Sequence, residues 1–418
     1  MTKNIETKRV VVTGMGVISP LGLEVQEFWK NLLAGESGID FITKFDTTDF
    51  DTKFAGEVKN YTSDDYLDRK EARRMDLFTQ YAIIAAEKAI KHSGLNFDVE
   101  SKDRIGVIVS SGIGGMETFE KQSKILIEKG PQRISPFFIP MLISNIAPGY
   151  ISIRYGLKGP NFSIVSACAS SSHALGEAFR NIQREDADVM ICGGAEAAIT
   201  PLGVGGFNAM KALSTRNEAP HKASRPFDNE RDGFVMGEGA GIVVLESLEH
   251  ANKRGATIYG EVAGIGYTAD AYHITAPAPG GQGAIGAMQL ALKDANLEPV
   301  NIDYINSHGT STPHGDIAET LAIKSVFGDH AYELNINSTK SMIGHLLGAS
   351  GGVEFITTVM SIKEDIIHPT INQEVPDPEC DLNYTANELK IREVRAAISN
   401  SFGFGGHNVS IVVKKFVE

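Results

Sequence analysis

Cysteine is scarce in this chain. There are three, Cys168, Cys192 and Cys380, and none belongs to a C-x-x-C pair. That excludes a disulfide framework and a cysteine-paired zinc site, suits a reducing compartment, and leaves each thiol to be read singly. Positive charge is in deficit: 39 Lys and Arg stand against 52 Asp and Glu, a net charge of −13. Such a surface repels phosphate backbones, so nucleic-acid binding over the whole surface is excluded, although a local basic patch is not. No apolar run approaches the ~18 residues of a membrane span. The first residues carry Lys3, Lys8 and Arg9 without a long apolar stretch, so no signal peptide is expected. A P-loop is missing. The glycine pair Gly14 and Gly16 follows a strand pattern, but Ser19 stands where a dinucleotide fingerprint needs glycine. Those two glycines are therefore read as backbone geometry.

What is present is core and glycine. Hydrophobic residues make up 42% of 418 and charged residues 22%, enough for a sizeable core and roughly two to three domains by length. Glycine, at 43 residues, exceeds the usual ~7% and announces tight turns or close backbone approaches.

The chain is written twice. Arg9-Val-Val-Val-Thr-Gly-Met-Gly reads as a strand into a glycine turn, and Glu261-Val-Ala-Gly-Ile-Gly-Tyr reads likewise. An apolar-faced helix follows in each half, at 78–90 and 284–295. Next come the strands Ile105-Gly-Val-Ile-Val-Ser-Ser-Gly and Ile302-Asp-Tyr-Ile-Asn-Ser-His-Gly. A strand, a helix and a strand then recur: Phe162-Ser-Ile-Val-Ser-Ala, the helix from Cys168 and the strand at Asp188, against Leu334-Asn-Ile-Asn-Ser, the helix from Gly348 and the strand at Arg395. Apolar strands alternating with helices predict layered α/β with sheets covered on both faces. The halves are expected at 1–257 and 258–418, with extra material at about 113–160 and 200–235 in the first, and with their strand-end loops meeting in a shared site.

Cys168 follows a strand and opens an amphipathic helix. Leu175, Ala178, Phe179 and Ile182 lie at helical spacing, and small residues surround the thiol. A thiol at a helix N-terminus feels the positive dipole end, which favours a nucleophilic thiolate; the alternative is a buried structural cysteine. Cys192, inside an apolar strand, and Cys380, in an acidic loop, read as inert. His308 and His345 sit in strand-end loops of the second half, where two neutral imidazoles suit donation to one oxygen or proton acceptance near neutral pH. A metal reading through His308, His314 and Asp316 fits no zinc spacing. Phe404, flanked by Gly403, Gly405 and Gly406, suggests a movable aromatic on a backbone that comes close to something. Arg69, Lys70, Arg73 and Arg74 cluster within six residues, and Lys211 and Arg216 lie in another loop. These read as solvated faces or as docking for an acidic partner.

The set Val165-Ser-Ala-Cys-Ala, Asn306-Ser-His-Gly-Thr-Ser-Thr, Lys340-Ser-Met-Ile-Gly-His and Gly403-Phe-Gly-Gly resembles the β-ketoacyl-[acyl-carrier-protein] synthases along essentially the whole chain. The Cys-His-His set is that of the elongating members, and the segment from Pro226 to Gly241 looks more like type II than type I. Thiolases place a second cysteine where this chain has Phe404.

The resemblance implies a thiolase fold, duplicated as a five-layered αβαβα body, in a cytoplasmic homodimer. The implied activity is condensation of an acyl-enzyme with malonyl-carrier protein, without metal or other cofactor. Cys168 is implied as nucleophile, with its own N–H and that of Phe404 as oxyanion hole. His308 and His345 would hold the malonyl thioester, with Lys340 and Glu354 as an ion pair ordering the histidines and Phe404 as a gate. Thr310 and Thr312 are implied to bind the phosphopantetheine arm and Ile113 and Phe207 to line the acyl pocket. Arg73, Arg74 and Lys211 would meet the acidic acyl carrier protein.

Overall fold

Two matched sets of strands run side by side in the same order and join into one ten-stranded sheet. The structure is a computed structural model that describes residues 8–417; Lys3 lies outside them. The first set is β1 (Val10–Ile18), β2 (Ile105–Ser110), β3 (Asn161–Phe162), β4 (Val189–Glu196) and β5 (Gly239–Ser247), in the order β3-β2-β4-β5-β1. The second is β6 (Gly260–Ala269), β7 (Tyr304–Asn306), β8 (Asn335–Asn337), β9 (Ala396–Gly403) and β10 (His407–Lys414), in the order β8-β7-β9-β10-β6. Within each set four strands run in one direction and one, β5 or β10, runs against them. The sets meet at an antiparallel seam in which Val10, Val11 and Val12 face Val262, Glu261 and Gly260.

Five helices complete the layers: α1 (Leu77–Ser93), α2 (Ser170–Gln183), α3 (Gln282–Ala295), α4 (Pro313–Phe327) and α5 (Ser350–Glu364). The helices α2 and α5 touch each other and strands of both sets, so they form the central layer. Outside, α1 covers β1, β4 and β5, while α3 covers β6 and β10 with α4 beside it. The result is helix, sheet, helix, sheet, helix. Strand residues alternate between these layers. In β5, Val243 and Leu245 join Phe179, Val353, Ile356 and Met360 at the centre, whereas Ile242 and Val244 join Phe78, Ala82 and Ala86 outside. Burial on both faces is why these strands read as unbroken apolar runs.

Gly14 and Gly16 do not form the expected turn. β1 runs through both to Ile18, and a Cβ at either would collide with the backbone of Ala89 or Ala85 in α1. Gly264 and Gly266 in β6 meet α3 in the same way, at Ala291 and Ala287. The repeated glycines thus set the short sheet-to-helix distance. Cys168 also sits elsewhere than read: it lies in a 3-10 turn, Ala167–Ala169, two residues before α2 begins at Ser170. The strand expected through Phe162–Ala167 pairs only at Asn161 and Phe162.

Candidate active site

The turn that carries Cys168 is braced from within. Ala167 has φ 51°, a left-handed conformation uncommon for a residue with a side chain. Ser170 Oγ accepts the Ser166 N–H at 2.9 Å and donates to Ala167 O at 2.7 Å, and Ser166 Oγ pairs with His173 Nδ1 at 2.8 Å. The second half repeats the turn: Leu347 has φ 49°, and Leu347–Ala349 leads into α5. Gly348 there occupies the slot that Cys168 holds in the first half.

Cys168 is buried, and burial pushes its thiol up to about 11 against the opposing influence of the Lys340 charge and the Phe404 N–H. The helix end therefore does not leave a free thiolate at rest, as the sequence had suggested. The Phe404 N–H is aimed at Sγ. Its neighbour Gly403 comes so close that a Cβ would stand 2.7 Å from Ser166 O and 3.1 Å from Cys168 N. This is the close backbone approach expected around Phe404.

His308 and His345 face each other edge to face, with centroids 5.3 Å apart. Both are buried, and burial first and the Lys340 charge second hold both well below the usual histidine range. They are neutral, and their partners fix the tautomers. The Leu347 N–H donates to His345 Nδ1 at 3.2 Å, and Ser350 Oγ lies 2.8 Å from the same nitrogen. Lys340 Nζ approaches His308 Nδ1 at 3.5 Å and donates to His308 O at 2.6 Å. Each Nδ1 is an acceptor, so each Nε2 carries the proton. Lys340 also pairs with Glu354, whose buried carboxyl is pushed up to about 7 by desolvation, which outweighs the attraction of Lys340. The ion pair contacts His308 alone; His345 is held by Ser350 and Leu347.

A cavity of about 610 Å³ unites most of the expected residues. Its lining includes Cys168, His308, His345, Phe404, Thr310, Thr312, Ile113, Phe207 and Lys211. The Thr310 and Thr312 hydroxyls are 2.9 Å apart. Phe207 stacks edge-on against Phe234, whose other neighbour is His345. Lys340 and Glu354 lie behind His308 rather than on the cavity wall. Arg73 and Arg74 are exposed outside the lining, with the Arg74 guanidinium 4.7 Å from the Phe137 ring centre. Lys211 is exposed and paired with Asp51 at 3.0 Å. Cys192 and Cys380 are buried away from this cavity.

Three buried carboxylates at the site, Glu319 and Asp316 on its lining and Glu196 behind it, went unread as supports. Glu319 accepts the His308 and Gly309 N–H groups at 2.8 Å each, and Asn400 Nδ2 at 3.2 Å. Asp316 accepts the N–H groups of Thr310 and Phe227 at 3.0 and 2.8 Å. Glu196 accepts from Gly112 and Gly348. An acid four or seven residues beyond the Asn306–Thr312 motif is the only sequence signal for the first two, and Glu196 has none.

With this geometry in hand, comparison with known proteins is direct. The family description "Beta-ketoacyl synthase, N-terminal domain" matches residues 7–251, and "Beta-ketoacyl synthase, C-terminal domain" matches 259–374. A Staphylococcus aureus (strain COL) protein named 3-oxoacyl-[acyl-carrier-protein] synthase 2 is 56% identical over 411 residues, covering 98% of this chain and 99% of its own. A Synechocystis protein of the same name is 54% identical over 413 residues, covering 99% of each chain. Among solved structures, a Burkholderia phymatum β-ketoacyl synthase superposes with TM-score 0.92 at 36% identity, covering 98% of this chain and all of its own. A type II PKS ketosynthase, bound to the hexaketide and in complex with its acyl-carrier protein, gives 0.91 at 36% identity, covering 99% of this chain and all of its own.

Proposed function

This chain belongs to the β-ketoacyl synthase family, and from that premise we propose how its residues carry out the condensation of an acyl-enzyme with malonyl-acyl carrier protein. The chain is an acyltransferase of the condensing class. Cys168 Sγ attacks the acyl thioester carbonyl as the departing carrier thiol takes up the thiol proton. The N–H groups of Cys168 and Phe404 receive the developing oxyanion, a contribution on the order of 3 kcal/mol per donor. Malonyl-carrier protein then places its thioester oxygen between the two Nε2–H groups of His308 and His345. Loss of the carboxylate as CO2 or bicarbonate leaves an enolate held by those donors. Its carbon attacks the acyl carbonyl, expels Cys168 and gives a 3-oxoacyl product two carbons longer.

The observation that carries this reading is the matched state of the two histidines: both buried, both neutral, both with Nδ1 occupied, so that two N–H donors converge on the cavity Cys168 opens into. Two neutral donors stabilise an enolate oxygen without ion-pairing the carboxylate that must leave.

The remaining assignments follow the cavity. Thr310 and Thr312 hydrogen-bond the phosphopantetheine arm, Ile113 and Phe207 line the acyl channel, and Phe404 gates entry between the two half-reactions. The acyl carrier protein docks on Arg73, Arg74 and Lys211, a basic area on an otherwise acidic chain. The protein works in the cytoplasm as a homodimer, two halves per chain divided near residue 257. Exposed Phe162 and Val165 at the sheet edge, with exposed Ile139 and Ile153, support an apolar face between two copies. No helix among the described residues is long and apolar enough to cross a membrane.

The test is intact mass after incubation with C8 to C16 acyl-carrier protein and then malonyl-carrier protein. An acyl adduct on Cys168 that is discharged as 3-oxoacyl product is expected, and is absent in Cys168→Ala. Condensation by Cys168→Ala would overturn the assignment.

A further inference from the structure

The slot equivalent to Cys168 in the second half is filled by Gly348, and what faces it is a carboxylate. Glu196, at the end of β4, is fully buried among donors only. Its Oε1 accepts the Ser111 hydroxyl at 2.7 Å and the Ile113 N–H at 3.3 Å; its Oε2 accepts the N–H groups of Gly112 at 2.8 Å and Gly348 at 2.9 Å. The two segments it joins belong to different halves and different tasks. Residues 111–113 run after β2 along the acyl side of the cavity. Residues 345–348 carry His345 and the strained Leu347, whose N–H fixes the His345 tautomer.

We propose that Glu196 is a positioning residue that ties the acyl-channel loop to the His345 turn, so that the chain seated against Ile113 and the donor direction of His345 are set together. The path is short and made of hydrogen bonds: Ile113 N–H to Glu196, Glu196 to Gly348 N–H, and from the adjoining Leu347 N–H to His345 Nδ1. Packing runs parallel to it, since Ile113, Phe207 and Leu347 share one apolar cluster. The local backbone is built around the carboxylate. A Cβ on Gly112 would stand 2.9 Å from its Oε2, and one on Gly348 would strike Gly112 N. No other acceptor is described for the Gly112 and Gly348 N–H groups, and buried amides without one are costly. The carboxylate makes no direct contact with His345 and reaches it through the turn.

The inference rests on the roles proposed above for Ile113 and His345, and the test separates the two. In Glu196→Gln, the amide keeps the shape but supplies one acceptor oxygen to donors on both sides and turns an NH2 toward the rest. The first readout needs no activity: 15N-histidine correlation spectra report the tautomer. His345 is expected as pure Nε2–H in the wild type and as a mixture in the variant. The second readout compares half-reactions: condensation falls about tenfold, the scale of a misplaced donor, while acylation of Cys168 stays within about twofold. The loss is greater with C16 than with C8 acyl-enzyme, because the longer chain presses on residues 111–113. Unchanged His345 signals, an equal loss in both half-reactions, or equal losses for C8 and C16 would overturn the proposal. Should Glu196→Gln fail to fold, Ser111→Ala removes one of the four donors and is expected to shift the same readouts less; no shift there is equally fatal. A wild-type enzyme that is never acylated would defeat the site reading while leaving the tautomer experiment intact.

Discussion

Lys340→Met isolates the electrostatic design of the two histidines. Methionine matches the length of lysine, so the packing is largely kept and the charge is lost. The Lys340 ammonium stands 3.5 Å from His308 Nδ1. At an effective dielectric near 20 that separation is worth ~5 kcal/mol against an imidazolium, ample to keep the ring neutral on top of its burial. Glu354 stands at about 7 with the ammonium in place; without that charge its buried carboxyl rises further, so it takes up a proton and the site stays neutral overall. His308 then loses the second of the causes that lower it and rises, with burial still holding it below the ordinary histidine range, and its tautomer is no longer fixed. An imidazolium would pair with the malonyl carboxylate and retain it. Decarboxylation of malonyl-carrier protein is therefore expected to fall ~10²- to 10³-fold, the scale of one oxyanion donor, and to lose more toward the acid end of the pH range than the wild type does. Acylation of Cys168 does not use His308; it should fall less than decarboxylation, through a thiol pushed higher once the opposing Lys340 charge is gone. The assay is CO2 release measured from pH 5.5 to 8.5 beside adduct formation by mass. A wild-type rate, or a pH profile identical to the wild type, would refute the reasoning.

Other perturbations give separate checks. Gly16→Ala drives a Cβ into Ala85 O and should cost on the order of 1–3 kcal/mol in urea unfolding. Gly266→Ala should cost about the same against Ala287, and indifference at either would remove the close-packing argument. His368 is buried and held at about 4 by desolvation, between Thr339 Oγ1 and Pro369 O. Its folded value lies below the unfolded ~6.5, so the unfolded chain binds the extra proton and stability is lost as pH falls from 6.5 toward 4. His368→Gln should shrink the stability difference between pH 7 and pH 5 by ~2 kcal/mol; an unchanged difference contradicts a neutral His368. Arg73→Gln with Arg74→Gln should weaken binding of the acidic carrier protein, with a reduced salt dependence. Equal, salt-insensitive binding by the double variant would put docking elsewhere.

What the sequence made legible was local or repeated. The duplication showed because each half reuses a strand with paired glycines and a helix of small apolar residues. Cys168, His308, His345 and Phe404 showed because each sits in a short motif of small residues around one reactive group. The errors were of neighbours that spacing cannot reveal. Gly14 and Gly16 looked like a turn because nothing in a strand's own sequence says that a helix lies against its backbone. The Cys168 helix end looked activating, yet burial, a property of the assembled layers, dominates the thiol. Lys340 read as ordering both histidines; its direct contacts are to His308 alone, while its charge acts on both. Glu196 and Glu319 escaped notice, and Asp316 was weighed only as a metal ligand, because each supports backbone amides that are distant in sequence or lie on another element.

The seam and the central helix have a consequence for biosynthesis. The inner face of the first set of strands, with Val243 and Leu245, is finished when residue 247 is made, but part of its cover is α5, which ends at Glu364. At ~5–20 residues per second the ribosome needs roughly 6–25 s to cross that gap. At the start of that interval, until residue 269 is made, β1 also lacks β6, its partner across the seam. The first half of the chain thus emerges with a greasy face and an unpaired strand, and its maturation waits on the second half. Chaperone demand should therefore peak on nascent chains stalled between about 250 and 360 residues and vanish once α5 has cleared the exit tunnel.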